Sequence, residues 1–245
     1  MTERRSYRQY CGLAKALDVV GERWTLLVVR NLLLGPLRYS DLLRGLPGIT
    51  TNLLAKRLRD MARAGLVEPM AAVPGATGSA YRLTRVGYAL EPAIHALGSW
   101  GWQRMGRPRR HDHRSLEWLL VALRRRYRGG LSLGVELVAD EVPYALLASG
   151  DELTISRGPL PNATLRVAGR SLDLARLFLE GDARGLRLDR GSQQLPALLR
   201  AFNRGDAQPA TADQEAGHRT RPIAGQTRSS RDVRGQQTSK SGGTP

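Results

Sequence analysis

The stretch at residues 47–66, PGITTNLLAKRLRDMARAGL, predicts a short helix with one apolar and one basic face. Thr50 follows a Pro-Gly turn and is placed as the N-cap, because its hydroxyl can accept a hydrogen bond from an otherwise unpaired backbone N–H. Gly65 is placed at the end, because glycine enters the left-handed conformation without strain. The residues expected inside recur at helical spacing, and they are Leu54, Leu58, Met61 and Ala62.

The opposite face of this helix carries amide, ammonium and guanidinium groups, from Asn52, Lys56, Arg59 and Arg63. Such groups read base edges and phosphates in the major groove of DNA. A charged helix face is also common on any protein surface. The helix alone therefore leaves two interpretations open, a nucleic-acid contact and a solvated surface.

The distribution of charge favours a polyanionic partner for the first part of the chain. Of 245 residues, 38 are Lys or Arg and 22 are Asp or Glu, which gives a net charge of +16. Residues 1–110 hold 18 basic and 7 acidic side chains, whereas residues 111–205 hold 14 and 11. Nucleic acid is the economical inference. A membrane surface fits less well, because no long basic amphipathic helix with bulky aromatic residues is present there.

Several classes of function find no support in the sequence. Cys11 is the only cysteine, so neither an intramolecular disulfide nor a cysteine zinc cluster can form. The run His111-Asp112-His113 offers too few ligands for a metal site, and we expect no metal or cofactor. No catalytic motif of the GxSxG, P-loop, HExxH or dinucleotide-binding type occurs, so we do not expect an enzyme. Without a signal-peptide pattern or an apolar run of about 18 residues, we expect a soluble cytoplasmic chain with no membrane partner.

The elements around residues 47–66 predict a winged helix-turn-helix. Two helical patterns fill residues 12–34, with a break at Gly21. Ser40 is placed as the cap of a short helix that ends at Pro47-Gly48, and the basic helix follows. Two short extended segments then flank a Gly-, Ala- and Pro-rich stretch, which indicates a hairpin, and residues 85–104 follow as one longer helix.

A set of spaced motifs makes the resemblance specific. They are Cys11 before the first helix, Gly21-x-Arg23-Trp24-Thr25, Gly35-Pro36-x-Arg38-Tyr39-Ser40, Leu46-Pro47-Gly48-Ile49-Thr50, Gly65-Leu66-Val67 and Tyr81-x-Leu83-Thr84-x-x-Gly87. Over about residues 9–105 the chain resembles the HxlR family of bacterial transcription regulators, relatives of the MarR winged helices.

The resemblance implies a homodimer, in which the N-terminal segment and the helix after the wing form the interface. Each recognition helix would enter the major groove of a two-fold double-stranded DNA operator, and repression is the family tendency. The residues carried over for the recognition segment are Thr50, Thr51, Asn52, Lys56 and Arg57. Those expected at the DNA backbone are Arg38, Tyr39, Ser40 and Arg59.

Two positions depart from the family pattern or leave its meaning open. The predicted wing tip at residues 71–79 carries no charge, whereas family members usually have an arginine and an acidic residue before the tyrosine. Arg82 and Arg85 are the nearest substitutes for a wing contact. In some relatives a cysteine at the place of Cys11 is a redox sensor; alternatively, Cys11 is a small residue packed at the start of the helix.

Residues 115–204 predict a second, nearly neutral α+β region of a helix, a meander of four or five strands and two further helices. It is similar to the sterol-carrier-protein-like domain fused to this winged helix in relatives from high-GC bacteria. The resemblance implies an apolar tunnel between sheet and helices, which would bind a small apolar effector or lipid. A solid core that only braces the dimer is the alternative. A lipid carrier, dimerised by the N-terminal region, is the alternative function for the whole chain.

The sequence therefore predicts an α+β protein of four segments. Residues 1–106 form the winged helix that binds DNA and dimerises, and residues 107–114 are a linker. Residues 115–204 form the sterol-carrier-like domain. Residues 205–245 have few apolar side chains and are expected to be disordered, because they cannot bury enough surface to offset the entropy lost on ordering.

Overall fold

The computed structural model describes residues 6–70, 79–106 and 109–202. The elements of the first part are α1 (Gly12–Val20), α2 (Thr25–Leu32), β1 (Leu37–Arg38), α3 (Tyr39–Arg44), α4 (Thr51–Arg63), β2 (Val67–Met70), β3 (Ala80–Leu83), α5 (Arg85–Tyr88) and α6 (Glu91–Trp102). Those of the second part are α7 (Leu116–Arg126), β4 (Leu131–Ala139), β5 (Val142–Gly150), β6 (Glu152–Arg157), β7 (Leu165–Gly169), α8 (Ser171–Glu180), β8 (Arg187–Arg190), a 3-10 turn (Ser192–Gln194) and α9 (Leu195–Phe202).

The first part has the winged helix-turn-helix arrangement expected from the sequence. Its antiparallel sheet has the order β1-β3-β2, in which Leu37 lies opposite Tyr81 and Val67 opposite Leu83. Fully buried aliphatic residues of α2 form its centre, because Val28 and Leu32 fall on one face of that helix. This packing holds α3, α4 and the hairpin as one unit.

Two local predictions in this part were wrong. Residues 85–104 form two helices rather than one. Pro92 stands in the first turn of α6, where its missing N–H costs no hydrogen bond and favours a new helix start. Ser40 does not cap α3 but lies within its first turn, and Arg38 occupies the N-cap position with extended backbone.

The second part is a five-stranded sheet covered by helices. The strand order is β6-β5-β4-β7-β8, and β4 runs parallel to β7, so the sheet is not a simple meander. Alternate residues of β4 are buried, among them Val135 and Leu137, as expected for a sheet with one face on the core. The α+β character predicted for this region is confirmed.

The layer between this sheet and its helices is filled with side chains. Leu120 of α7, Leu137 of β4 and Phe178 of α8 are completely buried in it. The rings of Phe178 and Phe202 meet edge to face, with their centroids 5.5 Å apart. The described residues thus form a packed core at the place where the sequence resemblance implied an apolar tunnel.

The two parts are joined through Arg157 at the end of β6. Its backbone N–H donates to the Leu34 carbonyl at 2.7 Å, and its guanidinium donates to the carbonyls of Asn31 and Gly35, both at 3.2 Å. The same guanidinium pairs with Glu117 of α7 at 2.8 Å. Because helix-terminal carbonyls lack partners within the helix, Arg157 satisfies the end of α2 from the other part of the chain.

Candidate nucleic-acid interface

Helix α4 begins and ends as its sequence predicts. The Thr50 hydroxyl accepts a hydrogen bond from the Leu53 N–H at 3.3 Å, which makes Thr50 the N-cap. Leu54, Leu58 and Met61 are buried against the winged-helix core. Ala62, which was expected inside, is exposed at the edge of this apolar stripe. The buried residues fix the rotation of α4 and thereby select which side chains face solvent.

The exposed face of α4 is rich in hydrogen-bond donors. Thr51, Asn52, Lys56, Arg59 and Arg63 are all exposed on it. In the described part of the chain Arg59 forms no ion pair, whereas Lys56 and Arg63 both bind Asp60, at 2.9 and 2.7 Å. This face can therefore offer an amide and a guanidinium without first breaking a salt bridge.

Asp60 moderates the charge of this face. Burial of the carboxyl group by itself raises the pKa of Asp60. The hydrogen bond from Lys56 and the charges of Lys56, Arg63 and Arg57 lower this pKa by more, so the net shift is downward. Asp60 is thus ionised at neutral pH. It holds Lys56 and Arg63 along the helix surface, where either could exchange Asp60 for a phosphate.

Arg57 does not lie on this surface. It is only 5% exposed, and its guanidinium donates to Glu22 at 3.0 Å and approaches Asp60 at 4.0 Å. Its Nε has no hydrogen-bond partner among the described residues. The expectation that Arg57 faces DNA is corrected by this position, because Arg57 shares the buried side of α4 with Leu54 and Met61.

Arg38, Tyr39 and Ser40, which were expected at the DNA backbone, lie at the N-terminal end of α3. Arg38 and Ser40 are exposed beside the start of α4. Tyr39 is half-buried, and its hydroxyl donates to the Thr51 carbonyl at 2.7 Å. Tyr39 therefore ties the first turn of α3 to the first turn of α4, and this sets the angle of the helix-turn-helix.

The hairpin places Arg82 on the strand pair but not as a free cation. Its Nε donates to Glu68 across the strands at 2.7 Å, and both side chains are about half exposed. Sequence spacing could have found this pair, since Glu68 and Arg82 are opposite each other in the register of β2 and β3. The tip at residues 71–78 lies outside the described residues.

Two helices away from α4 expose apolar side chains. On α1 these are Leu13 and Leu17, 68% and 38% exposed, and on α6 they are Leu97 and Trp100, 53% and 58% exposed. On their inner faces, Val20 of α1 and Ile94 of α6 are partly buried against the core. Apolar side chains exposed in groups on helices are typical of a surface that a partner covers.

Cys11 stands at the start of α1 and is exposed. The N–H groups of Ala14 and Leu13 face its sulfur and lower the pKa of the thiol, although neither completes a geometric side-chain cap. The alternative of a cysteine packed in the interior does not match this exposure. Elsewhere in the described residues, no cluster of three or more His, Cys, Asp or Glu side chains could hold a metal ion. Nor is any helix within those ranges both long enough and apolar enough to cross a bilayer.

Comparison with known proteins agrees with this geometry. The model of the family described as HxlR-like helix-turn-helix matches residues 19–108. An uncharacterized HTH-type transcriptional regulator of Mycobacterium tuberculosis is 38% identical over 96 residues, which are 39% of this chain and 60% of that protein. The chain thus spans less than two thirds of that relative.

Two proteins of Bacillus subtilis extend the comparison. The uncharacterized HTH-type transcriptional regulator YkvN is 34% identical over 91 residues, which cover 37% of this chain and 77% of YkvN. The reduced form of the transcriptional regulator YodB has a solved structure that is 26% identical, with a TM-score of 0.35. The match covers 41% of this chain and 100% of that one.

Proposed function

The chain belongs to the HxlR-like helix-turn-helix family, and from this premise we propose that it is a transcriptional regulator that binds double-stranded DNA sequence-specifically. The observation that carries the proposal is the exposed face of α4. That helix is capped at Thr50, is packed on the core through Leu54 and Leu58, and exposes Asn52 and Arg59 to solvent.

The residues of the interface have different roles in this proposal. Thr51 and Asn52 lie in the first turn of α4 and would read base edges, because the N-terminal end of a recognition helix enters the groove first. Arg59 lies two turns further on and would bind phosphate. Lys56 would exchange Asp60 for phosphate, while Arg38, Ser40 and Thr50 would contact the DNA backbone. Arg82 would need to leave Glu68 to do so.

We propose a homodimer on a two-fold operator, in which the exposed apolar faces of α1 and α6 cover each other. Leu13, Leu17, Leu97 and Trp100 support this, because they are apolar, exposed and on the two elements that the family resemblance places at the interface. Binding of the dimer would repress transcription in the cytoplasm, where the chromosome lies.

Regulation of DNA binding is also proposed. Cys11, exposed and with a lowered thiol pKa, is the candidate redox sensor. We also propose that residues 115–204 are a sterol-carrier-like module, which follows the winged helix of residues 1–106 and a linker at 107–114. Because the layer between its sheet and helices is filled with side chains, this module would have to open before it could admit an apolar effector. Residues 205–245, for which the sequence predicts disorder, lie outside the described residues.

The test is selection of bound duplexes from a random library by the full chain, followed by titrations at several salt concentrations. Asn52→Ala should lose about 1–3 kcal/mol per half-site on the selected duplex and nothing on unrelated DNA. Arg59→Gln should weaken all duplexes alike and lower the salt slope by about two per dimer, one phosphate from each subunit.

Arg187→Gln is the matched control, because Arg187 is an exposed arginine on the edge strand β8, far along the chain from α4. It should leave affinity and salt slope unchanged. The proposal fails if no duplex resists excess competitor DNA, or if Asn52→Ala selects the same sequence with the same affinity. Uptake of an apolar ligand without any DNA retention would favour the lipid carrier instead.

A further inference from the structure

An open groove of about 910 Å³ lies between α2, the turn after α3, residues from 105–106 and 109–114, and the start of α7. Its size is that of a small-molecule site. It is distinct from the filled layer between the sheet and the helices of the second part. Two indoles, Trp24 of α2's N-cap and Trp118 of α7, form its aromatic walls.

The groove is cationic as well as aromatic. Arg30, Arg109 and Arg114 line it together with His113, and among the described residues that line it Asp112 has the one carboxylate. Asp112 already accepts a hydrogen bond from the Arg109 backbone N–H at 2.6 Å. An organic anion would therefore meet an excess of positive charge.

Arg30 is the most informative of these cations. Its guanidinium stacks on the Trp118 ring, 4.2 Å from the centroid, and donates twice to the Asn31 amide oxygen, at 3.1 and 2.9 Å. No carboxylate in the described residues lies within ion-pair distance of it. Glu117 is near, but its carboxylate accepts from Arg157 and from the Tyr144 hydroxyl. Burial lowers the pKa of Arg30 to about 10, against the opposing effect of Glu117, so it remains charged at neutral pH.

Trp24 links the groove to the helix-turn-helix. It holds a left-handed backbone conformation with φ of 80°, which is strained for a bulky residue. Its indole lies beside Gly48 in the turn before α4, so that a Cβ placed on Gly48 would stand 3.7 Å from the ring. A ligand pressed against Trp24 would thus press on the turn that sets the start of α4.

Arg30 provides a second connection to the same turn. The Asn31 side chain that accepts from Arg30 donates in turn to the Gly45 carbonyl at 3.0 Å. Gly45 ends α3. If a bound anion draws Arg30 away, the Asn31 amide oxygen loses both of its donors, and the side chain that fixes α3 against α2 is held less firmly.

We propose that this groove binds a planar aromatic carboxylate, with its ring against Trp24 and Trp118 and its carboxylate at Arg30 and Arg114, and that occupancy changes the affinity for DNA. The aromatic walls select a flat ring, and guanidinium groups match carboxylate oxygens in geometry and charge. The regulatory half of this inference rests on the proposed DNA-binding function; the ligand half does not.

The ligand half is tested by calorimetric titration of the full chain with 2-naphthoate and, separately, with neutral 2-naphthamide. We expect saturation at one naphthoate per chain and amide binding weaker by about tenfold or more. Arg114→Gln, at an exposed position, should weaken naphthoate binding about tenfold without changing the melting temperature. Arg30→Gln should weaken naphthoate binding about tenfold or more. Arg110→Gln is the matched control, since Arg110 is an exposed linker arginine that does not line the groove.

The proposal is overturned if naphthoate does not saturate the chain, if the amide binds equally well, or if Arg114→Gln behaves like Arg110→Gln. A separate titration with labelled duplex, with and without naphthoate, tests the regulatory half. Unchanged DNA affinity at saturating naphthoate overturns that half alone. If the Arg30 and Arg114 variants lose duplex affinity while wild type takes up no naphthoate, the groove is a phosphate contact and the ligand proposal is wrong. Failure to bind any duplex would count against the proposed function, whereas the calorimetric test of naphthoate binding would be unaffected.

Discussion

Arg57 and Arg59 stand two positions apart on α4 and meet opposite environments. Arg57 is buried against Glu22, whereas Arg59 is exposed without an ion pair in the described residues. Spacing already contained this difference, since Arg57 lies three residues after Leu54 and four before Met61, within the apolar stripe. The family resemblance placed Arg57 with the DNA contacts, but the helix period explains why its long apolar stem and charge turn inward.

The two arginines should therefore separate stability from binding. Arg57→Gln should lower the free energy of unfolding by about 1–2 kcal/mol, because a hydrogen bond to a charged partner and buried packing are lost while Glu22 stays solvated. Its DNA affinity per folded molecule should be unchanged. Arg59→Gln should show the reverse. Urea unfolding and duplex titration measure both quantities, and a loss of affinity in Arg57→Gln at full folding would contradict the assignment.

Cys11 allows a second prediction at this scale. Because the Ala14 and Leu13 N–H groups favour the thiolate and lower its pKa, iodoacetamide should modify Cys11 in the folded chain with a pH midpoint below that of the urea-unfolded chain. Cys11→Ser should abolish labelling. An equal midpoint in the two states would remove the physical basis for a sensor. If an oxidant releases DNA from Cys11→Ser as readily as from wild type, the sensor proposal is wrong.

Among the elements, those with a strong local signal were predictable. The cap at Thr50, the burial of Leu54, Leu58 and Met61 on α4, and the break at Gly21 follow from residues close in sequence, and the structure contains each of them. Pro92 signals the start of α6, but the apolar period on both sides of Pro92 led to the prediction of one continuous helix. The parallel pairing of β4 with β7 has no local signature, because it depends on which strands meet after the chain has turned.

The apolar outer face of α6 gives the prediction for this scale. Leu97→Glu should dissociate the proposed dimer, raising its dissociation constant about a hundredfold or more, because each dimer would bury two such side chains. The melting temperature of the monomer should hardly change, since Leu97 is 53% exposed. Leu172→Glu on α8, at a residue 62% exposed, is the matched control. Analytical ultracentrifugation distinguishes them, and equal behaviour of the two variants would count against this interface.

For the molecule as a whole, the sequence could not show how the two parts meet. The sequence predicted a polar linker between them. Nothing in the local pattern ELTISR indicated that Arg157 donates hydrogen bonds to the carbonyls at the end of α2. That role depends on carbonyls 122 and 126 residues away in the chain. The same holds for Arg30 on Trp118, a contact between the two parts that only the fold brings together. Long-range polar contacts of this kind need both partners placed before either can be recognised.

Arg157 therefore carries the last prediction. Arg157→Met keeps the apolar stem but removes the donors to Asn31, Gly35 and Glu117, and should lower the free energy of unfolding by about 2–3 kcal/mol. Because the contact joins the two parts, the urea unfolding curves of Arg157→Met measured by tryptophan fluorescence and by far-UV circular dichroism should no longer coincide. Arg166→Met is the matched control, since Arg166 pairs with Glu136 and Asp189 inside the second part alone. Its two transitions should still coincide. If both variants unfold in a single shared transition, the Arg157 contact does not couple the winged helix to the sheet.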